Sequence, residues 1–448
     1  MKKQLIILTC ILIIGGALLA RSLFVYQLLK QGEAAQRKGH FDAAISCWNT
    51  ALKLQSKNVN AYIERGVSRE SKNDLPNAIL DYDMAIKLDP KSATAYYNRG
   101  HAKMAKNDLS GAILDFDSAI KLDPKYALAY NSLGDAKAFR CNMEGAIAAY
   151  DMAIKLDPQN AVTYYSRGYA KANYVKAGKR DFDGAIADYD MAIELDPKYA
   201  IAYYNRGDVK KSKGELNEAI ADYDMAIELD PQNTLAYYNR GWVKAFKKDL
   251  DEAIIDYNKT IELDPQYAYA YNSRGEAKAV KNDLEGAIAD YNKAIALDPK
   301  YAAPYCNRAN IKVIKNDLDG AIADYNTLLE IAPKYALAYN YRGHARAARN
   351  DLEGALSDYN KALELTPKDV LHNYQNALIY NNRGSLKVAK NELKGAIADY
   401  DMAINLSPNY AIVYYNRGHA KQVKGDLKGA AADFKRNNEL ESQSALLP

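Results

Sequence analysis

A chain of 448 residues with 60 basic and 56 acidic groups is long enough for several domains, yet its formal charge of +4 offers no electrostatic footprint for nucleic acid. Three of the bases, Lys2, Lys3 and Arg21, lie in residues 1–24, where there is no acid, so the remainder is all but neutral. Four cysteines, Cys10, Cys47, Cys141 and Cys306, are too few and too scattered for a disulfide framework.

In chain order, the first element is a targeting segment. Lys2 and Lys3 precede residues 5–20, sixteen residues without a charge. That run is slightly long for the apolar core of a cleavable signal and slightly short for a comfortable bilayer span. Gly15, Gly16, Ala17 and Ala20 permit cleavage, but helical pattern resumes at Leu23 without a linker. The expectation is an uncleaved single-pass anchor over residues 1–24, with the basic residues inside and the rest extracytoplasmic. The alternative is a cleaved signal and a secreted or periplasmic product.

Residues 25–441 then read as one array, followed by a short tail, 442–448. Leu-Asp-Pro or a close variant recurs with its prolines at 90, 124, 158, 197, 231, 265, 299, 333, 367 and 408. Seven of the nine intervals are 34 residues; the others are 39 and 41. A fixed period of this length means stacked supersecondary units. In residues 93–126, Tyr96, Gly100 and Lys103 share one helical face, and Ala112, Phe116, Ala119 and Ile120 form a second stripe. Asn107-Asp108 supplies turn and N-cap chemistry between them, and Pro124 ends the second helix. Each unit is therefore a hairpin of helices A and B, with Gly100 and Ala112 at the closest approach. Nothing alternates with period two, so no strands are expected.

The signature Tyr96, Gly100, Ala112, Phe116, Ala119, Pro124 resembles the tetratricopeptide repeat family. Twelve units can be placed, centred on Gly32, Gly66, Gly100, Gly134, Gly168, Gly207, Gly241, Gly275, Ala309, Gly343, Gly384 and Gly418. The resemblance implies an all-α, right-handed superhelical solenoid that binds protein segments. Two insertions break the period. Five residues around 175–179 lengthen helix A or its turn in the fifth repeat, and seven around 369–375 suit a helical extension. In the last helix B, Asn437 and Asn438 replace small and apolar residues, a polar outer face that would close the stack.

Where the family has leucine and tyrosine at the seventh and eleventh positions, this chain has arginine and lysine, as at Arg99 and Lys103. Charges facing the core need partners. The candidate is the aspartate before the helix-B aromatic, giving the pairs Arg99 with Asp115, Arg206 with Asp222 and Arg240 with Asp256. Ten repeats have both residues, while the first (Gln31, Cys47) and fourth (Leu133, Ala149) have neither. Joint loss points to an ion pair within each repeat. The lysine does not follow this rule, since Lys137 persists in the fourth repeat.

No catalytic or metal motif is present, and no cofactor is expected. The histidines, His40, His101, His344, His372 and His419, are too dispersed to share a metal. Function is therefore sought on the helix-A surface, which in the resembled family lines a concave groove. Its second position is mainly apolar, its fifth often aromatic (Tyr97, Tyr165, Tyr204, Tyr238, Tyr415) and its sixth often asparagine (Asn98, Asn205, Asn239, Asn307, Asn382, Asn416). The last series is similar to the asparagine ladder in the superhelical repeats of the O-linked N-acetylglucosamine transferases, where amides hold an extended peptide backbone. The basic clamp for chaperone tails is missing from the fifth and ninth positions. Acids at the ninth (Asp135, Asp208, Glu276) instead suit basic ligand side chains.

The best single patch is Leu235, Tyr238, Asn239, Trp242 and Phe246 with Tyr269 nearby, whereas Trp48 takes a core position. The leading expectation is a non-catalytic, membrane-anchored scaffold for a protein or extended peptide. The alternatives are a spacer or self-associating array, or the regulatory subunit of a separately encoded enzyme.

Overall fold

The structure, a computed structural model, describes residues 2–176 and 179–444, without the side chains of residues 2–15, 17, 176, 179 and 444. Among these residues 24 α-helices follow one another, with one two-stranded ribbon and one 3-10 turn. They form two compact units, Met1–Pro231 and Gln232–Pro448. The division falls between the sixth and seventh repeats, so each unit consists of six helical hairpins.

The third repeat shows why these residues fold as they do. Its helix A is Ala93–Ala105 and its helix B Leu109–Leu122. Between them Asn107 adopts a left-handed backbone (φ 64°), and the Asp108 carboxylate accepts the Gly111 N–H at 2.9 Å. A Cβ on Gly100 would lie 2.7 Å from the Phe116 ring, so the ring fills the space the glycine leaves. Phe116, Ala112 and Ala119 are fully buried, each such ring contributing roughly 1.5–3 kcal/mol through apolar burial.

The recurring Leu-Asp-Pro is the punctuation between hairpins. Asp123 closes helix B, and its side chain accepts the Lys125 N–H at 3.0 Å. The same short turn forms at Asp89, Asp157, Asp196, Asp264 and Asp298. Pro124, without an N–H, cannot continue the helix.

Within each unit, helix A touches the helix A of the next repeat, while helices B of successive repeats do not meet among the described residues. The A side is thus the inner side of each unit's curve.

A buried aspartate joins the two helices of a repeat. Arg99 donates through Nε and Nη2 to the two Asp115 oxygens at 2.9 and 2.7 Å, and Lys103 Nζ lies 2.7 Å from the same carboxylate. Asp115 is 3% exposed. The third nitrogen, Nη1, reaches Asp83 of the preceding repeat at 2.6 Å, and the guanidinium stacks on the Tyr96 ring. Arg206 holds Asp222 in the same bidentate way and reaches back to Asp190, with Lys210 on the same carboxylate. Arg240 holds Asp256 likewise, at 3.0 and 2.5 Å, with Lys244 3.0 Å away.

The lysine, which the sequence did not link to the aspartate, is therefore the second cation on it. In the fourth repeat Leu133 and Ala149 are buried in an apolar cluster with Phe116, and Asp117, which an arginine there would reach, is exposed. Lys137 persists without the carboxylate, which is why the sequence pattern hid its role.

Other expectations are corrected. Of the two outcomes expected for the first insertion, the turn and not helix A is lengthened: Val175–Lys176 pairs antiparallel with Lys179–Arg180, and only the strandless expectation fails, at this one turn. Helix A of that repeat ends at Asn173, and five residues suffice for a tight ribbon. The second insertion is a 3-10 turn, Val370–His372, followed by four extra residues at the start of helix Asn373–Ala389. On the last helix B, Leu427–Ser444, Asn438 is exposed, but Asn437 is buried and its Oδ1 has no donor. Asn437 occupies the place that Ala119, fully buried, has in the third repeat. The first helix spans Lys2–Arg37. The proposed anchor over residues 5–20 falls mostly outside the described side chains, and among the described residues no helix is long and apolar enough to cross a membrane.

Two outcomes are expected from the aspartate-centred contacts. Removing Asp115 strands two cations, so Asp115→Ala should cost about 3–5 kcal/mol, more than Arg99→Leu. The double variant recreates the fourth repeat and should cost less than the sum of the two by at least about 1 kcal/mol in urea denaturation; additivity would refute the coupling. In the last repeat, burial opposes ionisation of Asp433, but hydrogen bonds from Arg417 and Lys421 outweigh it and hold its carboxyl below the usual range. A depressed folded pKa stabilises above the unfolded value near 4 and is lost as pH falls through the folded one. Hydrogen-exchange protection of the last hairpin should therefore drop as pH falls below about 4, with a flatter profile in Asp433→Asn.

Candidate partner-binding surface

The inner face of each unit is built from helix-A positions that do not enter the hairpin core. In the second unit the aromatic patch lies on helix Thr234–Phe246. Trp242 is 41% exposed and Phe246 65%, and their rings stack at 5.7 Å with 17° between planes. Leu235 is exposed on the same helix. Tyr238 is half-buried, shares a hydrogen bond with Ser273 at 3.3 Å and packs edge-on against Tyr267 at 5.1 Å. Tyr267 leads to exposed Tyr269, and Tyr269 to Tyr301 at 4.7 Å, so the aromatic surface continues across the next repeat. Asn239 is half-buried in the same helix. Trp48, by contrast, is 1% exposed and belongs to the core of the first hairpin.

The asparagines at the sixth position are partly committed to the fold. Asn307 donates to Asn272 of the preceding repeat at 3.1 Å and to Glu276 at 2.8 Å. Asn382 donates to Asn340 and Asn416 to Asn381, at 3.0 and 2.9 Å. In the first unit Asn205 donates to the Tyr165 hydroxyl at 3.1 Å. These side chains therefore tie neighbouring repeats through their N–H groups and turn at most an oxygen to a ligand. Asn98 is half-buried in the third repeat, with two hairpins between it and Tyr204, Asn205 and Asp208 in the sixth.

The ninth-position acids differ sharply in environment. Asp208 pairs with Lys211 at 2.6 Å. Glu276 accepts amides from Asn272 and Asn307 at 2.9 and 2.8 Å. Asp135 accepts the Tyr150 hydroxyl at 2.7 Å and a long 3.3 Å bond from Asn131. Burial raises the Asp135 carboxyl above its usual range, and the Tyr150 hydrogen bond offsets only part of this.

Asp135 borders a cavity of about 430 Å³, with Phe139, Met143, Tyr165, Ser166 and Tyr169 among its walls. A smaller one, about 250 Å³, shares Tyr169 and adds Arg180, Asn205 and Asp208. Neither Phe139 nor Tyr169 stood out in the sequence. Their signal was positional: Phe139 holds the thirteenth place that Phe246 holds, and Tyr169 the ninth place of Trp242.

Both insertions reach the surface. Arg180 of the ribbon lines the smaller cavity, while Val370, Leu371 and Tyr374 of the second insertion are exposed. His101 and His419 pack edge-on against Tyr97 and Tyr415, and burial lowers the His101 pKa. Among the described residues no three His, Cys, Asp or Glu side chains are placed to hold a metal ion.

Family profiles described as "TPR repeat" match residues 70–106, 100–138, 142–173, 174–214, 207–245, 280–313 and 384–425, more than half of the chain. Profiles described as "Tetratricopeptide repeat" match residues 234–267 and 306–370. No curated protein matches the chain. Among solved structures it is similar to YrrB, described as a TPR protein with an unusual peptide-binding site, at 25% identity over 43% of this chain and 97% of that one (TM-score 0.37). It is also similar to MamA, at 31% identity over 38% of this chain and 96% of that one (TM-score 0.35). The Cut9–Hcn1 hetero-tetramer of the APC/C matches at 16% identity over 93% of each chain (TM-score 0.48).

Proposed function

The chain belongs to the tetratricopeptide repeat family, and from that premise we propose that it is a membrane-anchored, extracytoplasmic scaffold holding an extended partner segment along its helix-A face. Repeats of this fold serve protein–protein interaction and are generally non-catalytic. The observation that carries the finer reading is the exposed, stacked pair Trp242 and Phe246, continued by Tyr269, on the inner side of the second unit. Large rings left in water on an inner face are the usual anchors of an interface. They supply apolar area, while half-buried Tyr238 and Asn239 supply polar contacts beside them. Lys2 and Lys3 ahead of the uncharged residues 5–20 support anchoring with the repeats translocated.

The two tryptophans make the docking reading testable in the intact protein. Trp48 is buried, so acrylamide should quench Trp242 selectively, and a bound peptide should shield it. Trp242→Ala should weaken peptide binding about tenfold or more, a loss of at least about 1.4 kcal/mol, with unchanged thermal unfolding. Unaltered affinity would favour the spacer reading. For location, membrane fractionation with N-terminal mass measurement should find the intact leader in the detergent-extracted fraction; a soluble, shortened chain would contradict anchoring.

A further inference from the structure

At several junctions in both units the sixth helix-A residue of one repeat is hydrogen-bonded to the fifth of the repeat before it, the two side chains together long enough to span the gap. Two amides span the gap in Asn307 with Asn272 and Asn416 with Asn381, and a long phenol spans it in Tyr238 with Ser273. Between the fourth and fifth repeats both partners are short, Asn131 and Ser166. The consequence is visible: Asn131 Oδ1 is buried without a donor, and Ser166 lines the 430 Å³ cavity. Among the described residues Asp135 lacks the second amide that its counterpart Glu276 receives from Asn307, and it makes no ion pair such as Asp208 makes with Lys211.

Among the described residues the junction thus offers Asp135 no second amide and no cation, in a space bordered by Phe139, Tyr165 and Tyr169. We propose that this cavity binds a lysine or arginine side chain of an extended partner segment, the cationic head donating to Asp135 and the stem lying along Phe139 and Tyr169. Aromatic rings around a carboxylate suit a cation with an apolar stem better than a neutral donor. The volume accommodates one such side chain. This rests on the reading of the helix-A face as the docking surface and adds the chemistry of one subsite to it.

The test uses the full chain and a random dodecapeptide library, followed by anisotropy measurements on the tightest binder. Replacing one basic residue of that peptide by norleucine should weaken binding to the wild type at least about tenfold and leave binding to Asp135→Asn little changed. Ser166→Asn supplies the amide found at the matched junctions and should weaken the basic peptide similarly without affecting its norleucine form. That variant carries the test alone if Asp135→Asn does not fold. Binders with no essential basic residue, or basic selectivity that survives both substitutions, would overturn this subsite while leaving the docking surface standing. A library that yields no binder would reject the docking surface and the subsite together.

Discussion

One carboxylate in each of ten repeats, taken out of water and held by two cations, is the constraint on which the array depends. An aspartate such as Asp115, buried between two helices, is tolerable only because a planar guanidinium meets both its oxygens and an ammonium meets one of them again. The same guanidinium spends its remaining nitrogen on the previous repeat, as Arg99 does on Asp83 and Arg274 on Asn258. A single side chain therefore fixes helix A to helix B and one hairpin to the next. Geometry of this kind specifies register more than it adds stability, which suits a stack of near-identical units that must not slip. The apolar contribution comes from the ring beside it, packed over a glycine that leaves it room.

Much of this was legible because the chain repeats itself. Internal comparison substitutes for an alignment: the joint loss of arginine and aspartate in the fourth repeat identified partners sixteen residues apart, Arg99 and Asp115 among them. The same comparison concealed the lysine, since Lys137 is retained where its carboxylate is gone; a flexible ammonium finds other surroundings, whereas a guanidinium fork is left without a match. Insertions were located correctly, but their conformations depend on local pairing that periodicity does not encode. Five residues closed into a ribbon, and seven divided between a 3-10 turn and added helix. Asn437 was misplaced because substitution by a polar residue does not by itself turn a position outward.

The surface was legible in a different degree. Trp242 and Phe246 could be aimed outward from helical position alone. The asparagine series could not be resolved that way, because an amide that joins two repeats and an amide that awaits a ligand look alike in a sequence. Structure separates them: Asn307, Asn382 and Asn416 are occupied between repeats, and the cleft at Asp135 exists where the pairing of lengths fails. Regular positions thus carry the fold, and departures from regularity carry the candidate contacts.

The central claim, that partner segments lie along the inner helix-A face, is tested most directly by photo-crosslinking in native membranes. A benzophenone side chain would replace Trp242 in one variant and Ile255, an exposed apolar residue on helix B, in another. The account predicts that the helix-A variant labels a discrete partner segment and the helix-B variant does not. Equal labelling from the two faces, or labelling from Ile255 alone, would contradict it.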